Sequence, residues 1–131
     1  MTEYELHEIS SSYMEVVAAF FGNYAAHLSI YLTLVFGYCV VAFTAGARLT
    51  RLQVALVSVM FFCAAELQAL VMTNWVNRAY EVMVIITSLN PDISMSNVLK
   101  TGGQLVGVAL WQLGIIASLS FMWSVRHTGN E

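Results

Sequence analysis

Residues 52–77 read LQVALVSVMFFCAAELQALVMTNWVN, and this run decides the fold because Glu66 is its single charge. A helix needs about 20 predominantly apolar residues to cross ~30 Å of hydrocarbon. On either side, residues 16–47 and 101–125 carry no charge at all. Soluble domains carry about 25% charged residues. This 131-residue chain carries 10%, with 59% hydrophobic residues, too few charges to coat a small domain in water.

The expected fold class is an all-α integral membrane protein with three long transmembrane helices. Helix is the choice because three strands cannot close a barrel, and an open sheet edge in lipid leaves backbone groups unpaired. Residues 1–131 read as a single transmembrane domain with spans over 25–47, 52–76 and 104–125. No internal repeat or linker divides it. The composition excludes a nucleic-acid binder, a disulfide scaffold and a disordered tail.

Orientation follows from the basic residues. The link Gly46-Ala47-Arg48-Leu49-Thr50-Arg51 carries two arginines, and the third span exits at Arg126 and His127. Only Arg78 and Lys100 oppose them on the other side. The positive-inside rule then gives N-out and C-in, in a membrane read as a bacterial inner membrane. The N-terminus lacks a basic region and a small-residue cleavage site, so it is expected to remain in the mature protein.

Two segments extend the spans outward. Over residues 5–24, Leu6, Ile9, Tyr13, Val16, Phe20 and Tyr24 share one helical face. No breaker separates Ile9 from Gly46, and a continuous helix of ~38 residues is about 57 Å long, nearly twice the hydrocarbon thickness. Residues 77–103 form the matching outer connection, with Asn90-Pro91 starting a new turn and Ser94 or Ser96 capping the last helix. Together they predict a small outer helical crown.

Glu66 is the residue with most to say, since a carboxylate near mid-bilayer costs at least ~2.5–3.5 kcal/mol unless it faces protein or a water-filled cavity or remains protonated. Thr33 and Gln112 sit at nearly the same depth, so a Thr33–Glu66–Gln112 polar layer is expected, with Gln68 and Thr73 as further members. It reads equally as an ion or proton site and as a carboxyl that locks helices together. Tyr24, His27 and Tyr31, continuing to Tyr38, form a second polar stripe toward the outer interface, read chiefly as an aromatic belt with one hydrogen-bonded histidine. Gly103, Gly107, Gly114 and Ser118 give the third span a small-residue side suited to close helix packing.

Chemistry beyond this is thinly supported. Cys39, Cys63, His27 and Glu66 lack Cys-x-x-Cys, His-x-x-x-His or Glu-x-x-His spacing, so no metal and no cofactor is expected. The serines and cysteines lack a nearby base in their span, so no catalytic residue is assigned and no enzyme is expected. Glu66 and Gln68 lie about 200° apart around one helix. A lone three-helix unit then leaves one of them to be satisfied between subunits, which predicts a homo-oligomer of three to six copies in the lipid bilayer.

Three functions follow as expectations. The first is a narrow ion or proton channel with Glu66, or Gln68 with Thr73, at its constriction. The second is a structural or accessory subunit whose outer crown binds a protein partner. The third comes from topology: a short three-pass chain, N-out and C-in, resembles phage holins, which implies a holin-like pore former. The charged tail frequent in holins is reduced here to Arg126-His127-Thr128-Gly129-Asn130-Glu131.

Overall fold

The computed structural model describes residues 3–89 and 103–128. They form three helices: α1 spans Glu3–Ala45, α2 spans Arg51–Leu89 and α3 spans Gly103–Thr128. Each contains a window long and apolar enough to cross a membrane, and less than a quarter of each window is buried inside the protein. Many apolar side chains turn outward, with Phe36, Phe43, Met60, Leu70 and Leu113 all more than half exposed. Outward apolar surface of this extent calls for lipid.

The α1–α2 hairpin is set by local chemistry. After Ala45 the Gly46 N–H donates to the Ala42 carbonyl at 3.0 Å, and Arg48 and Leu49 N–H groups share the Ala45 carbonyl at 2.9 and 3.1 Å. A Cβ on Gly46 would collide with the Ala42 carbonyl, so glycine is required there. Thr50 then starts α2. The Thr50 backbone N–H donates to Gln53 Oε1 at 2.9 Å, and the Gln53 N–H donates to Thr50 Oγ1 at 3.3 Å, a reciprocal capping box. Thr50-x-x-Gln53 is the sequence signature of that motif. Thr50→Ala should cost about 1 kcal/mol, read as a lowered unfolding midpoint in detergent with the helix content unchanged.

The short turn fixes the register of α1 against α2 as a reflection about Arg48. The Tyr38 hydroxyl meets Ser58 Oγ at 2.7 Å, and farther out Phe20 packs on Trp75 with ring centroids 5.7 Å apart. Nearer the turn, Tyr38 stacks on Phe61 at 4.2 Å. α3 runs antiparallel to α2, with Gln112 opposite Glu66, which puts Gly103 level with Trp75. α2 therefore continues to Leu89 for about 21 Å past the start of α3, alongside the N-terminal part of α1.

In this two-helix extension Ser10, Val17, Ala79 and Ile86 are buried. Ile9 and Val16 are exposed, so the packed face is rotated by about one position from the expected Ile9–Val16 face. Ser10 can sit inside because its hydroxyl donates to the His7 carbonyl at 3.0 Å, leaving no polar group unpaired. The expected outer connection is, as far as Leu89, a continuation of α2. The caps expected at Asn90, Ser94 and Ser96 lie outside the described residues. Where all three helices run together, Tyr31, Tyr38, Ala42, Phe61, Ala65, Met72, Trp111, Ile115 and Met122 form the core.

Candidate functional site

Ala65 and Ala69, small and buried, let neighbouring helices approach α2 around Glu66. Glu66, half-buried, turns to α3, where the Gln112 Nε2 donates to both carboxylate oxygens, at 2.9 Å to Oε1 and 3.0 Å to Oε2. Gln68, two positions on, turns to α1 and accepts from His27 Nδ1 at 2.8 Å.

Both polar side chains of α2 are thus satisfied within one chain, which removes the reason for assigning one of them to another subunit. The 200° separation describes where the side chains leave the backbone. Glu and Gln have rotatable stems long enough to swing their head groups toward two adjacent helices, and α2 contacts both α1 and α3.

Thr33 shares the depth of this layer and stands apart from it. It is exposed, and its hydroxyl donates to the Ser29 carbonyl of its own helix at 2.8 Å. Depth matching reads only the height of a residue, and the short Thr33 side chain cannot reach around α1. Thr73 donates to the Ala69 carbonyl at 2.9 Å and lines a small cavity with Tyr24, Gly107 and Trp111.

The expected interfacial stripe of Tyr24, His27 and Tyr31 faces inward. Tyr31 is 5% exposed and donates its hydroxyl to the Trp111 carbonyl at 2.7 Å. Tyr24 and Tyr31 meet the Trp111 indole edge to face, with centroids 5.7 and 5.4 Å apart. Such pairs contribute about 0.5–1.5 kcal/mol beyond the area they bury. Trp111, which receives Tyr31, is the chain neighbour of Gln112, which holds Glu66, so the aromatic cluster and the polar layer adjoin.

The small residues of α3 serve these contacts. A Cβ on Gly114 would lie 2.5 Å from the Tyr31 hydroxyl, so that glycine is the seat of the tyrosine. Ser118, 3% exposed, donates back to the Gly114 carbonyl at 2.7 Å. A Cβ on Gly107 would lie 3.3 Å from Trp111 Nε1. Gly107, Gly114 and Ser118 therefore pack within the chain. The side chain at Gln104 and the surroundings of Gly103 are outside what is described.

Sequence reasoning missed the pairing of His27 with Gln68 and placed His27 at the outer interface. The signal was present, because reflection about the Arg48 turn brings these two positions level. Among the described residues, no three His, Cys, Asp or Glu side chains gather at metal-binding distance. Cys39 and Cys63 are free thiols. Chemically, the site joins three helices through one carboxylate, two amides, one imidazole and two phenols.

The class defined by this fold is a bundle of three helices long and apolar enough to span a membrane. No family model matches the chain, and neither a curated protein nor a solved structure matches it.

Proposed function

We propose that this chain is a membrane-embedded structural subunit, whose three-helix bundle anchors a two-helix stalk that docks a protein partner. The observation that carries the reading is the pair of hydrogen bonds from Gln112 to Glu66. They use the one acid of the second span to join α2 to α3, leaving it poorly placed to receive a passing ion. The stalk supports the partner role. It exposes Ile9, Val16, Val84 and Ile85 beside Glu8, Glu15 and Glu81, and α3 stops short of it. Exposed Arg48 and Arg51 at the hairpin favour a cytoplasmic turn, with the stalk and N-terminus outside and the C-terminus inside, as in a bacterial inner membrane.

The test is reconstitution together with purification from native membranes. Liposomes holding the chain should pass potassium and protons no faster than protein-free liposomes. A partner should co-purify at fixed stoichiometry and be lost when Ile9 and Val84 are both changed to Lys, with insertion retained. Flux in the wild type that Glu66→Gln abolishes overturns the reading.

A second reading, a homo-oligomeric ion or proton channel of three to six copies, is favoured by an open groove between α1 and α2. It is lined by Thr33, Gly37, Tyr38, Val57, Met60 and Ala64. Apart from its own turn of helix, nothing lies within 4 Å of the position of a Cβ on Gly37, so a neighbouring helix has room to approach. Native mass spectrometry separates the two: one copy per particle fits the anchor, and three to six copies with measurable flux fit the channel. The holin-like alternative predicts abrupt host death on expression.

A further inference from the structure

The bundle contains a small, partly open cavity of about 40 Å³ where all three helices meet, lined by Tyr24, Met72, Thr73, Val76, Gly107 and Trp111. A water needs about 10–15 Å³ of such space and two to four polar partners. The volume is sufficient for one water and too small for a drug-sized ligand.

The polar partners are also in place. Trp111 is 7% exposed, and its Nε1 lies 3.3 Å from where a Cβ on Gly107 would stand. Gly107 and Trp111 both line the cavity, so the missing side chain leaves space beside the indole N–H. Among the described residues no protein acceptor meets that N–H. Thr73 lines the cavity from α2, and its hydroxyl hydrogen is committed to the Ala69 carbonyl. Its oxygen therefore retains lone pairs that can only accept. A donor on α3 and an acceptor on α2 lining one water-sized cavity are complementary to one molecule that accepts from the first and donates to the second.

We infer that this cavity is a binding site for a single ordered water that bridges the Trp111 indole N–H to Thr73 Oγ1. The water joins α2 to α3 on the stalk side of the Glu66–Gln112 pair, and Gly107 is the residue that keeps its place open. This assignment is independent of whether the chain anchors a partner or conducts ions.

The experiment is water-contact NMR on the full chain in nanodiscs, with nitrogen-15 in the tryptophan indoles. The Trp111 signal is identified by its loss in Trp111→Phe. In the wild type, the Trp111 indole proton should show a direct cross-peak to water with the sign of a long-lived contact. Gly107→Ala, which puts a methyl group into the space, and Thr73→Val, which removes the acceptor with little change of shape, should each cut that cross-peak at least severalfold. Unchanged Trp75 and Trp123 signals report an intact fold. Absence of the cross-peak in the wild type marks a dry or lipid-filled cavity and overturns the assignment. Persistence at full intensity in either folded variant also overturns it.

Discussion

Gln112→Leu should destabilise the bundle by about 2–3 kcal/mol, because it leaves the Glu66 carboxylate in the membrane span without the amide that holds both its oxygens. A missing hydrogen bond in itself is worth only ~0.6–2 kcal/mol between membrane helices. The larger part of the expected effect is the stranded carboxylate. The size of the loss should therefore depend on residue 66. Glu66→Leu combined with Gln112→Leu should recover most of the stability, since both partners leave together. Glu66→Gln should cost less than about 1 kcal/mol, because its carbonyl oxygen still accepts from Gln112. Equilibrium unfolding of the wild type, Gln112→Leu, Glu66→Leu and the double variant in one lipid composition gives the double-mutant cycle. A coupling near zero would mean that the pair contributes nothing to the bundle.

Gly114→Ala should be comparably damaging, although it adds only one methyl group. That methyl would lie 2.5 Å from the Tyr31 hydroxyl, well inside van der Waals contact. Tyr31 has little freedom to yield. Its ring lies against Trp111 and its hydroxyl is bonded to the Trp111 carbonyl at 2.7 Å. Relief requires α1 and α3 to separate or the tyrosine to leave its seat, and overpacking of this kind costs about 1–3 kcal/mol, with a lost hydrogen bond adding about 1 kcal/mol. Removing the offending atom supplies the control. Tyr31→Phe alone should cost about 1 kcal/mol. In the Gly114→Ala background the same change should raise the unfolding midpoint, and a further fall there would place the clash elsewhere.

These two sites differ in how far the sequence exposed them. Gaps between charges delimit the three helices because the cost of a charge in hydrocarbon is independent of tertiary contacts. Depth along a helix is nearly as legible, since rise per residue is fixed, and it brought Glu66 and Gln112 to one level. Rotation about the helix axis was not legible. Thr33 was assigned to the layer on height, and the structure turns it outward to bond Ser29. Tyr31 was assigned to an interfacial belt on residue type, and it points into α3 because Gly114 leaves it room.

The small-residue side of α3 was recognisable as a packing surface, while its partner was not. Glycines permit close approach by any helix, and only the Tyr31 and Trp111 geometry shows that α1 fills the place. The pairing of His27 with Gln68 was obtainable from the hairpin turn, had the sequence been reflected about Arg48. The same pairing, with Glu66 on Gln112, gives both side chains partners within one chain, so they do not in themselves call for a second copy.

Glu66 is held by Gln112 of its own chain. Carbon–nitrogen dipolar recoupling by solid-state NMR tests it most directly, using glutamate labelled at the side-chain carboxyl carbon and glutamine labelled at the side-chain nitrogen. In membranes of doubly labelled protein, the Glu66 carboxyl signal should dephase strongly through Gln112 Nε2, and Gln112→Leu should abolish the effect. Glutamate-labelled and glutamine-labelled chains, unfolded together and reconstituted as a mixture, should show no dephasing above natural abundance, as expected for a bond within one chain. Dephasing in the mixture would place the bond between copies and contradict the account, as would its absence from the doubly labelled protein.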